Sequence, residues 1–121
     1  MAKQRILIID DEAIVRVSCQ KTLEPEGYSV DTASSGAEGL GLFEKGDYDL
    51  VLLDLKMPGM DGMETLSVMI GRKPGQQVMI MTGYDTVENM VDAISSGAAH
   101  YIEKPFTPIT LLERIREVLD R

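Results

Sequence analysis

Four short apolar segments of the chain are each followed at once by polar residues that could take part in metal or phosphate chemistry. These residues are Asp10, Asp11 and Glu12 after residues 5–9, Asp54 after residues 49–53, Thr82 after residues 77–81, and Lys104 after residues 100–103. Taken singly, each has an ordinary explanation, since an aspartate can cap a helix and a lysine can be a solvated surface charge. Taken together they indicate one site, because four segments would otherwise each end by chance in a residue suited to the same reaction.

The carboxylates indicate a site for a hard divalent cation. Carboxylates that lie close together raise one another's pKa unless a cation offsets their charge. Oxygen ligands with room for water suit Mg²⁺, or Mn²⁺, better than zinc, and one histidine and one cysteine provide no cluster for a softer metal. A magnesium ion held in this way can bridge a carboxylate and a phosphoryl group.

The chemistry can be divided among these residues. Asp54 stands alone after its apolar segment, so it is the better nucleophile, and an aspartyl nucleophile forms an acyl phosphate. The pair Asp10 and Asp11 is then left to hold the metal. Lys104 would pair with one phosphoryl oxygen, and the hydroxyl of Thr82 would donate a hydrogen bond to another.

Alternating strands and helices must position these residues. Strands are predicted over residues 5–9, 28–33, 49–53, 77–81 and 100–103, and helices over about residues 11–23, 36–44, 63–70 and 87–94 and from about Pro108 onward. Five strand–helix units in succession predict a parallel sheet covered by helices on both faces. Ligands of such sheets bind beyond the carboxyl ends of the strands, where the polar residues stand. The methionines at 69, 79, 81 and 90 are predicted to fill the core.

Composition limits the class of protein. The 121 residues, 44% of them hydrophobic, predict a single domain over residues 1–121. A net charge of −8 argues against direct nucleic-acid binding, which needs a basic surface. No apolar run approaches the roughly 20 residues that cross a bilayer. The lone Cys19, expected to be a small residue on a helix, cannot form an internal disulfide, which fits a reducing cytoplasm.

The motifs IIDDE, LLDLKMPGMDG, MTGY and YIEKPF, in this order, resemble the bacterial response-regulator receiver domain over about residues 5–119. The resemblance implies an α/β flavodoxin-like (βα)5 three-layer sandwich with a parallel five-stranded sheet of order 2-1-3-4-5. It also implies a role for each residue of the site: Asp54 as phosphoacceptor and metal ligand, Asp10 and Asp11 as the metal-binding pair, the backbone carbonyl of Lys56 as a further metal ligand, Thr82 and Tyr101 as switch residues, and Lys104 as the family's lysine. The Lys104–Pro105 peptide bond is expected to be cis.

The resemblance implies a signalling switch that catalyses only its own phosphorylation and dephosphorylation. A sensor histidine kinase, a histidine phosphotransfer protein or acetyl phosphate would supply the phosphoryl group. The surface formed by helix α4, strand β5 and helix α5, about residues 85–96 and 100–116, would then change and be read by an output domain or effector protein. A phosphorylation-dependent dimer, a cytoplasmic location and a role in transcription regulation are further expectations.

Two finer expectations also come from the resemblance. Lys56 and Tyr84 occupy positions that tune the lifetime of the acyl phosphate, and neither offers a carboxylate or carboxamide to position water, so we expect slow autodephosphorylation. Ala99 and His100 replace the acids found before the switch aromatic in winged-helix regulators. The segment 82–94 is more similar to receivers of sigma-54 activators.

Other classes of protein fit the sequence less well. A phosphatase of the haloacid dehalogenase type would carry its nucleophile after the first strand in a DxD pattern, and here Asp10, Asp11 and Glu12 have the wrong spacing. A flavodoxin-like cofactor binder needs a phosphate-cradling loop after the first strand, where this chain has three acids that repel phosphate. A receiver-like domain that only binds partners is a third alternative.

Overall fold

The computed structural model describes residues 3–56, 62–83 and 92–120. The strands are β1 (Arg5–Ile9), β2 (Ser29–Ala33), β3 (Leu50–Asp54), β4 (Val78–Thr82) and β5 (His100–Glu103). The helices are α1 (Ala13–Leu23), α2 (Gly36–Lys45), α3 (Gly62–Arg72) and α5 (Pro108–Leu119), and residues 92–95 are the described part of α4. A short 3-10 turn, Glu24–Glu26, follows α1 and ends at Gly27, whose φ of 94° suits a glycine.

The five strands form one parallel sheet in the order β2-β1-β3-β4-β5, which confirms the predicted fold. The register pairs Ile9 with Leu53 and Asp54 with Met81. At the next ladder Thr82 pairs with Glu103. By this register the carboxyl ends of β1, β3, β4 and β5 lie within two ladder positions of one another, so residues at these ends can share a site.

Alternate residues of the strands face two separate layers of helices. Leu7 and Ile9 of β1 pack with Phe43 of α2 and Leu66 of α3 on one face. Ile6 and Ile8 pack on the other face with residues of α1 and α5: Cys19, Leu23, Leu111 and Ile115. The side chains of Ile6, Leu7, Ile8 and Ile9 are all fully buried, as expected for a strand covered on both faces. Within the described ranges, no helix has the length and apolar content needed to span a membrane.

Three predicted boundaries differ from the structure at the edge of the sheet that carries the polar residues. Helix α1 begins at Ala13 instead of residue 11, because Glu12 occupies the extended N-cap position and the acidic residues before it form a loop. Strands β3 and β4 each run one residue further than predicted, to Asp54 and Thr82. These two residues belong to the parallel ladder itself, so the backbone pairing holds both of them in place.

The methionines predicted to fill the core are buried wherever the structure describes them. Met69, Met79 and Met81 are buried as predicted, while Met90 lies outside the described residues. Ile94 of α4 is 54% exposed, whereas its neighbour Ala93 is buried. Since successive helical residues point about 100° apart, burial of Ala93 turns Ile94 toward the surface.

Gly62 is required where α3 packs against the backbone that carries Asp54. A Cβ at Gly62 would lie 2.5 Å from the carbonyl oxygen of Asp54 and closer still to Cα of Leu55. We expect Gly62→Ala to lower the free energy of unfolding by about 2 kcal/mol or more, because backbone atoms cannot move aside cheaply. Urea unfolding followed by circular dichroism measures the effect.

Gly71 in the same helix is the matched control for Gly62. A Cβ at Gly71 would meet nothing within 4 Å. Gly71→Ala should therefore raise the free energy of unfolding by about 0.5–1 kcal/mol, through the helix propensity of alanine. Equal effects of the two substitutions would contradict the packing argument at Gly62.

Candidate functional site

Three of the predicted site residues converge at the carboxyl edge of the sheet. The ammonium of Lys104, which follows β5, lies 2.6 Å from Oδ2 of Asp10, which follows β1. The same ammonium lies 3.5 Å from Oδ2 of Asp54 at the end of β3 and 3.7 Å from Oε1 of Glu12. One cation is thus surrounded by carboxylates from two strand ends that are far apart in sequence. The Lys104–Pro105 peptide bond is cis, as expected.

Asp10 is fully buried and every one of its polar groups has a partner. Its Oδ1 accepts a hydrogen bond from the N–H of Glu12 at 2.9 Å, and its Oδ2 accepts from Lys104. Its N–H donates to the carbonyl of Ala33 at 3.1 Å, and its own carbonyl accepts from Arg16 at 2.8 Å. A buried carboxylate is tolerated only with such partners, so Asp10 is held in one position.

Asp54 is a buried acid with an unusual pKa. Only 6% of it is exposed, and this burial, reinforced by the charges of Asp10 and Asp11, raises the pKa of Asp54 from 3.8 to about 6. The charge of Lys104 and the N–H of Lys56, which donates to Oδ1 at 3.1 Å, act in the opposite direction. Further positive charge near Asp54 would therefore favour its ionised, nucleophilic form.

Lys104 stays charged in this setting. Burial lowers the pKa of Lys104, but the hydrogen bond and charge of Asp10, with the charges of Asp54 and Glu12, outweigh it, and the net direction is upward. An ammonium between buried carboxylates is the counter-ion that lets the acids share this edge of the sheet.

The acidic loop after β1 can present three oxygen ligands to one cation. One carboxylate oxygen from each of Asp10, Asp11 and Glu12 lies within 4.8 Å of the others. Hard oxygen donors of this kind suit Mg²⁺ or Mn²⁺. Metal binding was predicted for Asp10, Asp11, Asp54 and Lys56 but not for Glu12, although the place of Glu12 directly after the acidic pair was a usable signal. The contact seen at Lys56 is made by its N–H, and the ligand role of its carbonyl stays a prediction.

The two predicted switch residues lie on neighbouring strands. Thr82 ends β4, and its side chain lies outside the described part of the structure. Tyr101 in β5 is 40% exposed, and the guanidinium of Arg114 lies 5.5 Å from the centre of its ring. Tyr101 therefore points outward in this conformation. Tyr84 and residues 85–91 of the predicted α4 also lie outside the described residues.

A cavity of about 550 Å³ opens beside Asp54 and Lys104. The residues that line it include Ile14, Phe106 and Cys19. Burial first, and then the charge of Asp10, raise the pKa of Cys19 to about 12, so the thiol stays protonated and unreactive at neutral pH. Cys19 lies on helix α1, as predicted, and is buried there.

Comparisons with known proteins point to one family. The sequence profile of the response regulator receiver domain matches residues 6–116. The chain is similar to the transcriptional regulatory protein PcoR of Escherichia coli, with 37% identity over 118 residues, which are 98% of this chain and 52% of PcoR. It thus spans about half the length of the curated relatives it matches.

Solved structures show the same likeness. The chain is similar to a CheY-like response regulator receiver domain protein from Methanospirillum hungatei JF-1, with a TM-score of 0.94, 41% identity, and coverage of 98% of this chain and 95% of that chain. It is also similar to the chemotaxis protein CheY4 of Vibrio cholerae, with a TM-score of 0.93, 30% identity, and coverage of 98% and 100%.

Proposed function

The chain belongs to the response regulator receiver domain family, which serves phosphorylation-dependent two-component signalling, and from this premise we propose that Asp54 carries the phosphoryl group. This proposal is supported mainly by the position of the Lys104 ammonium, which lies close to both Asp10 and Asp54 at the carboxyl edge of the sheet. An incoming phosphoryl group is negative, so an acidic nucleophile can receive it only beside positive charge.

Phosphoryl transfer to Asp54 forms one bond and breaks another. A carboxylate oxygen of Asp54 attacks phosphorus, and the P–N bond of a phosphohistidine breaks, its electron pair leaving with the imidazole. With acetyl phosphate, the P–O bond breaks and acetate leaves. Lys104 pairs with one phosphoryl oxygen, and the Thr82 hydroxyl donates to another. The phosphohistidine belongs to a sensor histidine kinase or a histidine phosphotransfer protein.

Asp10 and Asp11 are the proposed holders of Mg²⁺, or Mn²⁺, with Asp54 and the carbonyl of Lys56 as further ligands. The mutual proximity of the carboxylates of Asp10, Asp11 and Glu12 supports this proposal and adds Glu12 to the set. A bound magnesium ion supplies positive charge that stabilises the phosphoryl group during transfer.

The proposed output surface is the face of α4, β5 and α5, about residues 85–96 and 100–116, of which the structure describes residues 92–96 and 100–116. Ile94 and Tyr101 support this assignment, because both are large apolar side chains that are substantially exposed on it. In the proposed switch, Thr82 moves toward the phosphoryl group and Tyr101 turns inward from its exposed position. An effector, an output domain or a second phosphorylated copy then reads the changed surface.

The proposed unit of function is a single receiver domain over residues 1–121. We propose that it works in the cytoplasm, where ATP is available to phosphorylate histidine kinases. We also propose that it turns over no external phosphate ester and that it contacts neither nucleic acid nor membrane itself.

The name of PcoR supports an output in transcription regulation. The link to sigma-54 activators stays a prediction. The family match leaves the phosphatase and flavodoxin-like alternatives without support.

The proposal is tested by intact-protein mass spectrometry after incubation with acetyl phosphate. We expect a single phosphoryl adduct that forms with Mg²⁺ and does not form in excess EDTA. Hydroxylamine should cleave this adduct, as it cleaves an acyl phosphate. A folded protein that forms no adduct with Mg²⁺ present would favour the alternative in which the domain only binds partners.

Lys56 gives a prediction about the lifetime of the phosphorylated state. Its side chain is exposed next to Asp54 and cannot position a water molecule as a carboxamide can. We expect Lys56→Asn to shorten the half-life of the acyl phosphate by about tenfold, since positioning a water for attack is a form of acid–base assistance. Release of inorganic phosphate from the purified phosphoprotein measures this half-life.

The matched control for this experiment is Lys45→Asn, which changes an exposed lysine at the end of α2. This variant should keep the half-life of the unmodified chain, which we expect to be minutes to hours. A half-life of seconds in the unmodified chain, or no change in Lys56→Asn, would contradict the slow-autodephosphorylation proposal.

A further inference from the structure

Arg16 lies in the second turn of α1 and reaches back to the acidic loop. Its Nη1 donates a hydrogen bond of 2.8 Å to the backbone carbonyl of Asp10. Arg16 is half-buried, and its own N–H bonds to the carbonyl of Glu12, so the helix and the loop are joined twice at this residue. Nothing in the sequence patterns pointed to Arg16.

The contact matters because few other groups hold this loop. Glu12 at the N-cap makes no side-chain capping bond within the described structure. The other contacts of Asp10 are its N–H to Ala33, its Oδ1 to the N–H of Glu12, and its Oδ2 to Lys104. The last two occupy carboxylate oxygens that a metal ion needs, whereas Arg16 binds the carbonyl and leaves both oxygens of the carboxylate alone.

We propose that Arg16 is a positioning residue that holds the loop Asp10–Glu12 in the shape that binds a divalent cation. This inference rests on the proposed function, since it concerns the same metal site. Arg16 acts through the backbone of Asp10, which it fixes with a charge-assisted hydrogen bond. Outer contacts of this kind orient the metal ligands and contribute to metal affinity.

Electrostatics alone predicts the opposite effect, which makes the proposal testable by its sign. A guanidinium near a cation site repels the cation, so removing its charge should tighten metal binding. Removing a positioning contact should weaken binding, because the carboxylates then lose their common orientation. The direction of the change in Kd therefore separates the two roles.

The experiment measures the Kd for Mg²⁺ by calorimetry and for Mn²⁺ by electron paramagnetic resonance, on the full chain without phosphodonor. Arg16→Met keeps an apolar stem for packing and removes both donor and charge. We expect its Kd for either metal to rise about tenfold. The control Arg72→Ala removes the same charge from the end of α3, where Arg72 pairs with Glu44, and should leave the Kd unchanged.

Phosphorylation by acetyl phosphate provides a second readout. In Arg16→Met, the Mg²⁺ concentration for half-maximal rate should rise about tenfold, as the Kd does, while the rate at saturating Mg²⁺ stays within about twofold of the unmodified chain. A general loss of structure would lower the saturating rate as well. That outcome, or a Kd of Arg16→Met that is unchanged or lower, overturns the proposal.

Two further outcomes are also decisive. Should Arg16→Met fail to fold, Arg16→Lys carries the test, because it keeps the charge but presents a shorter, single donor. Its Kd is expected to rise about two- to threefold, and a Kd at or below that of the unmodified chain overturns the proposal. If the unmodified chain binds neither Mg²⁺ nor Mn²⁺, the proposed metal site itself fails, which is distinct from a failure at Arg16.

Discussion

Replacing Asp54 with asparagine is expected to abolish the phosphoryl adduct formed with acetyl phosphate and Mg²⁺. The carboxamide keeps the shape of the side chain, but its oxygen is a weak nucleophile and cannot form an acyl phosphate. Loss of a nucleophile of this kind lowers a rate by at least about 10³-fold. Intact mass spectrometry over a time course gives the rates for both proteins.

Asp47→Asn is the control for this prediction. Asp47 lies on the surface between α2 and β3, and its side chain is exposed beside Lys73, so the variant removes the same charge away from the site. It should form the adduct at the rate of the unmodified chain. An adduct that persists in Asp54→Asn would mean that another carboxylate, with Asp10 and Asp11 the nearest candidates, accepts the phosphoryl group.

The same substitution, Asp54→Asn, is expected to stabilise the fold at neutral pH. Burial raises the pKa of Asp54 from 3.8 to about 6 in the folded chain, so ionised Asp54 is less favourable in the folded state than in the unfolded state. The cost is absent below about pH 4, grows between about pH 4 and pH 6, and is fully present above that range. At pH 7 this cost lowers the free energy of unfolding by about 3 kcal/mol, and Asp54→Asn should remove it.

Urea unfolding in EDTA at pH 4 and at pH 7 measures this effect. The variant and the unmodified chain should differ little at pH 4, whereas at pH 7 the variant should be more stable. Adding Mg²⁺ at pH 7 should stabilise the unmodified chain more than the variant, because a cation offsets the charge of Asp54. A variant that is less stable at pH 7, or a difference independent of pH, would contradict the raised pKa of the buried Asp54.

Lys104 connects these two predictions. Its ammonium offsets the charges of Asp10 and Asp54 in the present conformation, and in the proposed reaction it pairs with the phosphoryl group. The folded state and the proposed chemistry therefore call on the same cation. Lys104 offsets enough of the negative charge at this edge of the sheet for the chain to fold, and the remaining negative charge still favours the binding of a further cation.

The fold was predictable from the sequence because its signals are local. Compact apolar segments alternate with stretches of helical spacing, and residues such as Ile6, Leu7, Ile8 and Ile9 show no alternation, as expected when a strand is buried on both faces. Parallel strands bring their carboxyl ends to one edge, so the candidate site was expected among the residues that follow the apolar segments. Asp10, Asp54 and Lys104 meet there.

The tertiary structure alone decided how these residues contact one another. The order of residues in the sequence does not reveal that Lys104 lies closer to Asp10 than to Asp54, or that Arg16 reaches the carbonyl of Asp10. It also did not show that Ala93 is buried and Ile94 exposed. Hydrophobic periodicity reports which face of an element is buried, because burial depends on side-chain type. Distances between side chains, and the pKa shifts that follow from them, depend on the packing of elements from distant parts of the chain, which no local pattern encodes.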